Sequence, residues 1–125
     1  MAKILFLDDD PLTLKLMEKA VSILNHGALL SSSVDEALLM IQDEHPDLII
    51  VDLGLEEMSG LSFIRKLQRD PAIPRVPVVI VSAGQSDYDE EQAHSVGAVQ
   101  YLRKPLGLDQ LMNVINTWTY TAGPL

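Results

Sequence analysis

Five short apolar runs, each closing on polar residues and each parted from the next by a helix-like stretch, constrain this chain more than any other feature. The first, Ile4-Leu5-Phe6-Leu7, is continuous rather than alternating. A run with no polar face belongs to a strand buried on both sides, the situation of a strand in a parallel sheet. It ends in Asp8-Asp9-Asp10-Pro11, where Asp10 before Pro11 reads as a helix N-cap with proline at the first helical position. Behind it, Leu12, Leu16, Ala20 and Ile23 form one apolar stripe, with Lys15, Glu18 and Lys19 toward water. Asn25-His26-Gly27 stops that helix.

A weaker strand follows over Ala28 to Ser31, then a Ser-capped helix from about Val34 to Glu44. Pro46 precedes Asp47-Leu48-Ile49-Ile50-Val51-Asp52, the clearest strand of the chain. After a loop through Gly54 and Gly60, Leu61, Phe63, Ile64 and Leu67 predict another amphipathic helix, broken by Asp70-Pro71 and Pro74. Val76 to Val81 is the fourth strand; Pro77 near its start costs at most one ladder hydrogen bond. A short helix through Glu90 to Val96 ends at Gly97, and Val99 to Leu102 is the fifth strand. Lys104-Pro105 leads into a last helix, Leu108 to Trp118, with Leu111, Met112 and Ile115 inward. The tail Thr121 to Leu125 has no periodicity, so the domain is expected over residues 1–120, followed by a tail or the start of a linker. Strands that alternate with helices imply an α/β fold, a parallel sheet covered on both faces.

The 125 residues suffice for one domain, which buries roughly two-thirds of the surface that its unfolded chain exposes. The absence of cysteine excludes a disulfide scaffold, a thiolate metal site and thiol catalysis. Eighteen acids against nine bases give a formal charge of −9, which argues against a basic nucleic-acid groove. No apolar run is long enough to span a membrane, and the N-terminus meets acids too early for a signal peptide. These bounds predict a cytoplasmic domain that acts away from membranes.

In such folds ligands bind outside the carboxyl ends of the strands. Four of the five strands end there in reactive groups: Asp8 and Asp9, Asp52, Ser82 and Lys104. The second strand ends only in serines, which suits an edge position away from the site. Carboxylates gathered in one crevice resist ionisation unless a cation is present, and hard oxygen ligands of this kind suit Mg²⁺ or Mn²⁺. Lys104 supplies a positive charge for a phosphoryl group, the Ser82 hydroxyl donates to one of its oxygens, and Asp52 is placed to attack phosphorus.

With these residues in this order, the chain resembles the receiver domain of two-component response regulators, the CheY-like family. The pieces that carry the resemblance are Ile4 to Asp9, Pro46 to Asp52, Gly60, Pro77 to Ala83, Gly97-Ala98 and Tyr101-Leu102-Arg103-Lys104-Pro105, and together they cover about Lys3 to Trp118. The resemblance implies a three-layer, flavodoxin-like (βα)5 fold with sheet order 2-1-3-4-5. It implies that Asp52 is the phosphoacceptor for a sensor histidine kinase or a histidine phosphotransfer protein. It makes Asp9 a direct Mg²⁺ ligand, Asp8 a ligand largely through water, Asp52 a ligand and the Gly54 carbonyl a further one. Ser82, Lys104 and the Ala83 N–H would hold the phosphoryl oxygens. Tyr101 would be the switch, turning inward as Ser82 moves and altering the face formed by the fourth helix, fifth strand and last helix. That face would engage an output domain or target protein, and a phosphorylation-dependent homodimer is compatible with it. The domain would be no general enzyme, catalysing only its own phosphorylation and dephosphorylation. The family's Lys-Pro bond is often cis.

Two positions depart from the family pattern. Leu55-Glu56 replaces the common Met-Pro pair, and Gly54 has no side chain where varied residues tune attack by water. Both predict an altered lifetime of the phosphate. His26, His45 and His94 read as surface residues without a ligand role, and Asp87, Asp89, Glu90 and Glu91 as a solvated first helical turn favoured by the helix dipole.

The rival readings differ in the residue they make reactive. A haloacid-dehalogenase-like phosphatase would use Asp8 as nucleophile, but Leu12 stands where Thr or Val belongs and only Asp109 follows Lys104. A flavodoxin-like cofactor binder needs a phosphate loop where Asp8-Asp9-Asp10 would repel phosphate. A P-loop NTPase lacks its motif. A phosphorylation-independent pseudo-receiver, a pure interaction module, has a full acceptor set against it.

Overall fold

Residues Ile4 to Leu7 lack a polar face, so any strand they form must be covered on both sides. In the computed structural model, which describes residues 1–55, 58–83 and 87–119, they make the body of strand β1 (Lys3–Leu7) and have no solvent exposure. The remaining strands are β2 (Gly27–Ser31), β3 (Leu48–Asp52), β4 (Val78–Ser82) and β5 (Gln100–Arg103). Between and after them come helices α1 (Pro11–Ile23), α2 (Val34–Glu44), α3 (Gly60–Arg69), α4 (Asp87–Ser95) and α5 (Leu108–Thr119). All strand pairs are parallel, and the order is β2-β1-β3-β4-β5. The three-layer α/β arrangement expected from the sequence is therefore the one formed, with β2 at an edge.

Strand alternation divides the interior in two. Leu5, Leu7, Ile49, Val51 and Ile80 face α2, α3 and α4, where Ile41, Phe63 and Ala93 meet them. Ile4, Phe6, Ile50, Val79 and Val81 face the other way, onto Met17 and Val21 of α1 and Leu111 and Ile115 of α5.

The first helix turns only the middle of the expected stripe inward, Ala20 buried and Leu16 packed against the core, and adds Met17 and Val21 to it. Leu12 is 74% exposed and Ile23 49%, whereas Met17, Ala20 and Val21 are buried. Apolar residues occupy most of the circumference of α1, so periodicity does not single out one stripe. Leu12 lies about 140° around the helix from Met17, and the buried set is the one that Leu14 and Leu24 flank. In α5, Val114 takes a fully buried place beside Leu111 and Ile115, while Met112 is only partly buried. Strand β4 begins after Pro77 rather than at Val76, and the Pro77 carbonyl still accepts the Ile49 N–H at 3.0 Å. His26 is half-buried rather than a plain surface residue, because its Nδ1 accepts the Ala2 N–H at 3.0 Å.

Two glycines are demanded by geometry. A Cβ on Gly60 would come within 2.9 Å of the Asp52 carbonyl oxygen and 3.0 Å of Leu53 Cα. The first turn of α3 thus rests directly on the backbone that carries Asp52, and the Gly60 N–H donates to the Leu53 carbonyl at 2.9 Å. Gly97 ends α4 with φ +92°, a value that L side chains rarely adopt. The peptide bond Lys104–Pro105 is cis.

Candidate functional site

Register decides which of the strand-end groups can meet. In the β1–β3 pair Leu7 stands opposite Val51, so the next rung puts Asp8 opposite Asp52. Neighbouring strands lie about 4.8 Å apart, and both residues have the parity of Phe6 and Ile50. Lys104 follows β5 with the parity of Leu102, and its N–H continues the ladder by donating to the Ser82 carbonyl at 2.8 Å. All three side chains therefore emerge on the α1/α5 side. The lysine Nζ reaches Asp8 Oδ2 at 3.1 Å and Asp52 Oδ2 at 3.4 Å. Asp8 is 1% exposed, Asp52 14% and Lys104 22%, so the pocket is deep but the Asp52 carboxylate still touches solvent.

The sequence posed a difficulty for Asp8 and Asp9, since neighbours on a strand point to opposite faces. The backbone removes it by ending β1 at Leu7. Asp8 is still tied to β2 through its N–H on the Ser31 carbonyl at 3.1 Å, but the chain bends at Asp9, and the Asp10 N–H folds back onto Asp8 Oδ1 at 2.8 Å. Asp9 thereby falls outside the strand and is half-buried. Asp10 caps α1 as expected, accepting the Leu12 N–H and the Thr13 hydroxyl, which hold its carboxyl below the usual range.

Ser82 ends β4 with the opposite parity, buried on the side of Ile80 and Tyr101. Tyr101 packs against the α2/α3/α4 core, and its buried hydroxyl has no hydrogen-bond partner among the described residues. Ala83 follows Ser82 and is exposed. Past Asp52, the Gly54 N–H donates back to Asp52 Oδ1 at 3.1 Å. A Cβ on Gly54 would sit 4.0 Å from that oxygen, an ordinary contact, so nothing steric requires glycine here. Glu56 lies outside the described residues, as do the side chains of Asp87 and Asp89. Of the other acids expected in a solvated turn, Glu91 is exposed, whereas Glu90 contacts Arg103 at 3.7 Å and His94 at 4.0 Å.

Electrostatics follow from this geometry. Burial pushes the Asp8 carboxyl upward and the Asp52 charge adds to that, against the opposing Asp10 N–H and Lys104. Burial alone would lower the Lys104 ammonium, but the hydrogen bond and charge of Asp8, then those of Asp52, outweigh it and raise it. One lysine thus offsets two carboxylates directly. Among the described residues, no three acidic or imidazole groups stand at metal-coordinating spacing. Asp8 and Asp52 each turn an oxygen to the ammonium instead, and Asp8 Oδ2, fully buried, accepts no aligned hydrogen bond. The donor set is nonetheless made of hard oxygens with excess negative charge, which fits Mg²⁺, an ion that keeps several of its own waters.

Lys104 bridging two carboxylates was not read from the sequence, because it depends on register. Nor was the close approach of Gly60 to the Asp52 backbone, although a glycine directly after the Ser59 cap is a usable signal.

A family model for the response regulator receiver domain matches residues 4–116. The polar-differentiation response regulator DivK of Brucella ovis is 29% identical over 115 residues, covering 92% of this chain and 94% of DivK. The gliding motility regulatory protein of Myxococcus xanthus is 31% identical over 118 residues, 94% of this chain but 15% of that protein. Among solved structures, the chemotaxis response regulator CheY4 of Vibrio cholerae is similar in fold, with a TM-score of 0.85, 22% identity and coverage of 94% of this chain and 98% of CheY4.

Proposed function

Because the chain belongs to the response regulator receiver domain family, a family of signalling domains, we propose that it acts as a phosphoacceptor whose reactive atom is a carboxylate oxygen of Asp52. The donor is a phosphohistidine on a sensor histidine kinase or a histidine phosphotransfer protein. The Asp52 oxygen attacks phosphorus, an O–P bond forms as the N–P bond breaks, and the departing imidazole keeps the electron pair and takes up a proton. The observation that carries this reading is the Lys104 ammonium held between Asp8 and Asp52 at 3.1 and 3.4 Å. It stands beside the acceptor, ready to transfer from carboxylate to phosphoryl oxygens as charge builds there.

The Ser82 hydroxyl and the Ala83 N–H donate to the remaining phosphoryl oxygens. Asp9, Asp52, the Gly54 carbonyl and Asp8 would hold Mg²⁺ or Mn²⁺, which would supply charge neutralisation. Water later attacks the acyl phosphate, and the open space beside Gly54 sets how readily it arrives. The hydroxyl of Tyr101, buried without a partner among the described residues, supports its role as the switch, since a group in that state gains by moving. Movement of Ser82 and Tyr101 then biases the α4-β5-α5 face toward an output domain, a target protein or a second copy, as a population shift. The reading as a phosphatase with Asp8 as nucleophile is disfavoured by burial, since Asp8 is 1% exposed and spends one oxygen on a backbone N–H.

A small phosphodonor with Mg²⁺ tests the proposal. Wild-type protein should take up one acid-stable, base-labile phosphoryl group, and Asp52→Asn should take up none.

A further inference from the structure

The corner between β1 and α1 contains a chain of hydrogen bonds that the phosphoryl chemistry does not use. Asp8 Oδ1 accepts the Asp10 N–H at 2.8 Å. The Asp10 carboxylate is itself held at both oxygens: Oδ1 accepts the Leu12 N–H at 3.1 Å, and Oδ2 accepts the Thr13 hydroxyl at 2.7 Å. Pro11 restricts the same junction, because a residue before proline is kept out of the helical region, and Asp10 lies at φ −87°, ψ 113°. A helix N-cap needs only the bond to a backbone N–H of the first turn. Here the capping residue also spends its own amide on a buried carboxylate. The other oxygen of that carboxylate faces Lys104 at 3.1 Å and, among the described residues, accepts no aligned hydrogen bond. The orientation of Asp8 therefore depends on the Asp10 peptide, and the orientation of that peptide depends on what grips the Asp10 side chain.

We infer that Thr13, acting through Asp10, is a positioning residue for the acidic pocket: its hydroxyl locks the turn whose amide holds Asp8 with one oxygen turned toward Lys104 and the cation side. The inference takes from the receiver reading only what the pocket binds; the hydrogen-bond chain stands apart from it. The Thr13 hydroxyl is spent on Asp10, so its effect is conformational and is passed through one backbone N–H.

Three variants separate positioning from simple helix capping. Thr13→Val removes the hydroxyl at nearly constant shape, Thr13→Ser keeps it, and Asp10→Ser keeps one oxygen for the Leu12 N–H but cannot also hold Thr13. The first readout is the Asp10 amide in metal-free protein, by its proton shift and hydrogen exchange. The second is Mg²⁺ affinity by calorimetry. Thr13→Val should move the Asp10 amide resonance upfield, and both Thr13→Val and Asp10→Ser should speed exchange of the residue-10 amide. They should weaken Mg²⁺ binding roughly threefold to tenfold, at or below the lower end of what losing an outer-shell partner costs a metal site. Thr13→Ser should match wild type in both. A lowered melting temperature in Thr13→Val with an unmoved Asp10 amide and unchanged Mg²⁺ affinity would reduce Thr13 to a helix cap and overturn the inference. Wild-type protein that takes up no Mg²⁺ would count against the receiver reading instead, and the Asp10 amide response would then decide the positioning role alone.

Discussion

Two lysine–carboxylate contacts stand at opposite ends of the same sheet and differ in nearly every respect. At the amino ends of the strands, Lys3 Nζ meets Glu44 Oε2 at 2.9 Å with both side chains about half in water, 49% and 47% exposed. At the carboxyl ends, Lys104 meets Asp8 and Asp52 at longer distances, 3.1 and 3.4 Å, with little exposure. The shorter contact is the less consequential. Exposed ion pairs gain little, because water and salt screen them and two flexible side chains must be ordered. The deeper cluster is out of balance, with two carboxylates on one ammonium, and desolvation makes that imbalance costly. A fold keeps such an arrangement where the unbalanced charge has work to do, and here a cation and a phosphoryl group would complete it.

The comparison is broken most decisively at Asp52. Asp52→Asn should abolish phosphoryl uptake while leaving the fold intact, and undiminished uptake would remove the acceptor from the account. Next comes Lys104→Ala, which leaves Asp8 and Asp52 facing each other. It should destabilise metal-free protein by about 1–3 kcal/mol, less than a fully buried pair because the crevice can hydrate, and Mg²⁺ should recover much of that loss. Denaturant titrations with and without Mg²⁺ measure both effects. If Mg²⁺ recovers nothing, the ion does not enter this pocket.

Asp8→Asn should go the other way. The folded-state pKa of Asp8 is raised, so the folded chain binds its proton more tightly than the unfolded chain does. That contribution favours folding below about pH 3.9, the ordinary carboxylate value, and is lost as pH rises through the folded value. Metal-free Asp8→Asn should therefore be more stable than wild type by on the order of 1 kcal/mol at neutral pH. The difference should shrink on acidification toward pH 4. An equal difference at every pH would assign the effect to packing rather than charge.

The smallest effects belong to the other end of the sheet and to the rim of the pocket. The Lys3 hydrogen bond and charge lower the Glu44 carboxyl, a contribution present at neutral pH and lost as pH falls through the lowered value. Because that pair is exposed, Glu44→Gln should leave the melting temperature at neutral pH and the phosphoryl uptake unchanged. A clear loss of stability would mean that the exposed pair has been undervalued. Gly54→Asn, tolerated sterically, should change the lifetime of the acyl phosphate, followed by its decay after donor removal. An unchanged lifetime would show that the side chain at this position does not control access of water.

How far the sequence could be read follows from which facts are local. The unbroken runs Ile4–Leu7 and Leu48–Val51 fix buried strands, and Asp10-Pro11 and Ser33 fix helix starts, because each signal is carried by adjacent residues. The inward face of α1 is legible at Leu16 and Ala20 but not at Leu12 and Ile23, because a helix apolar around most of its circumference takes its exact orientation from tertiary contacts. The strand-end polar groups were visible as a set. Their division into Asp8, Asp52 and Lys104 on one face and Ser82 with Tyr101 on the other needs the β1–β3 and β4–β5 registers, which no periodicity encodes. The same holds for Gly60, whose tight approach to the Asp52 carbonyl exists only once α3 folds back on β3.

The most direct test of the central claim is to trap the phosphorylated residue. Wild-type protein is incubated with a small phosphodonor and Mg²⁺, the acyl phosphate is reduced with borohydride, and the converted aspartate is located by peptide mass spectrometry. The account predicts conversion at Asp52 alone. Conversion at Asp8 or Asp9, or none in protein shown to be folded and supplied with Mg²⁺, would contradict it.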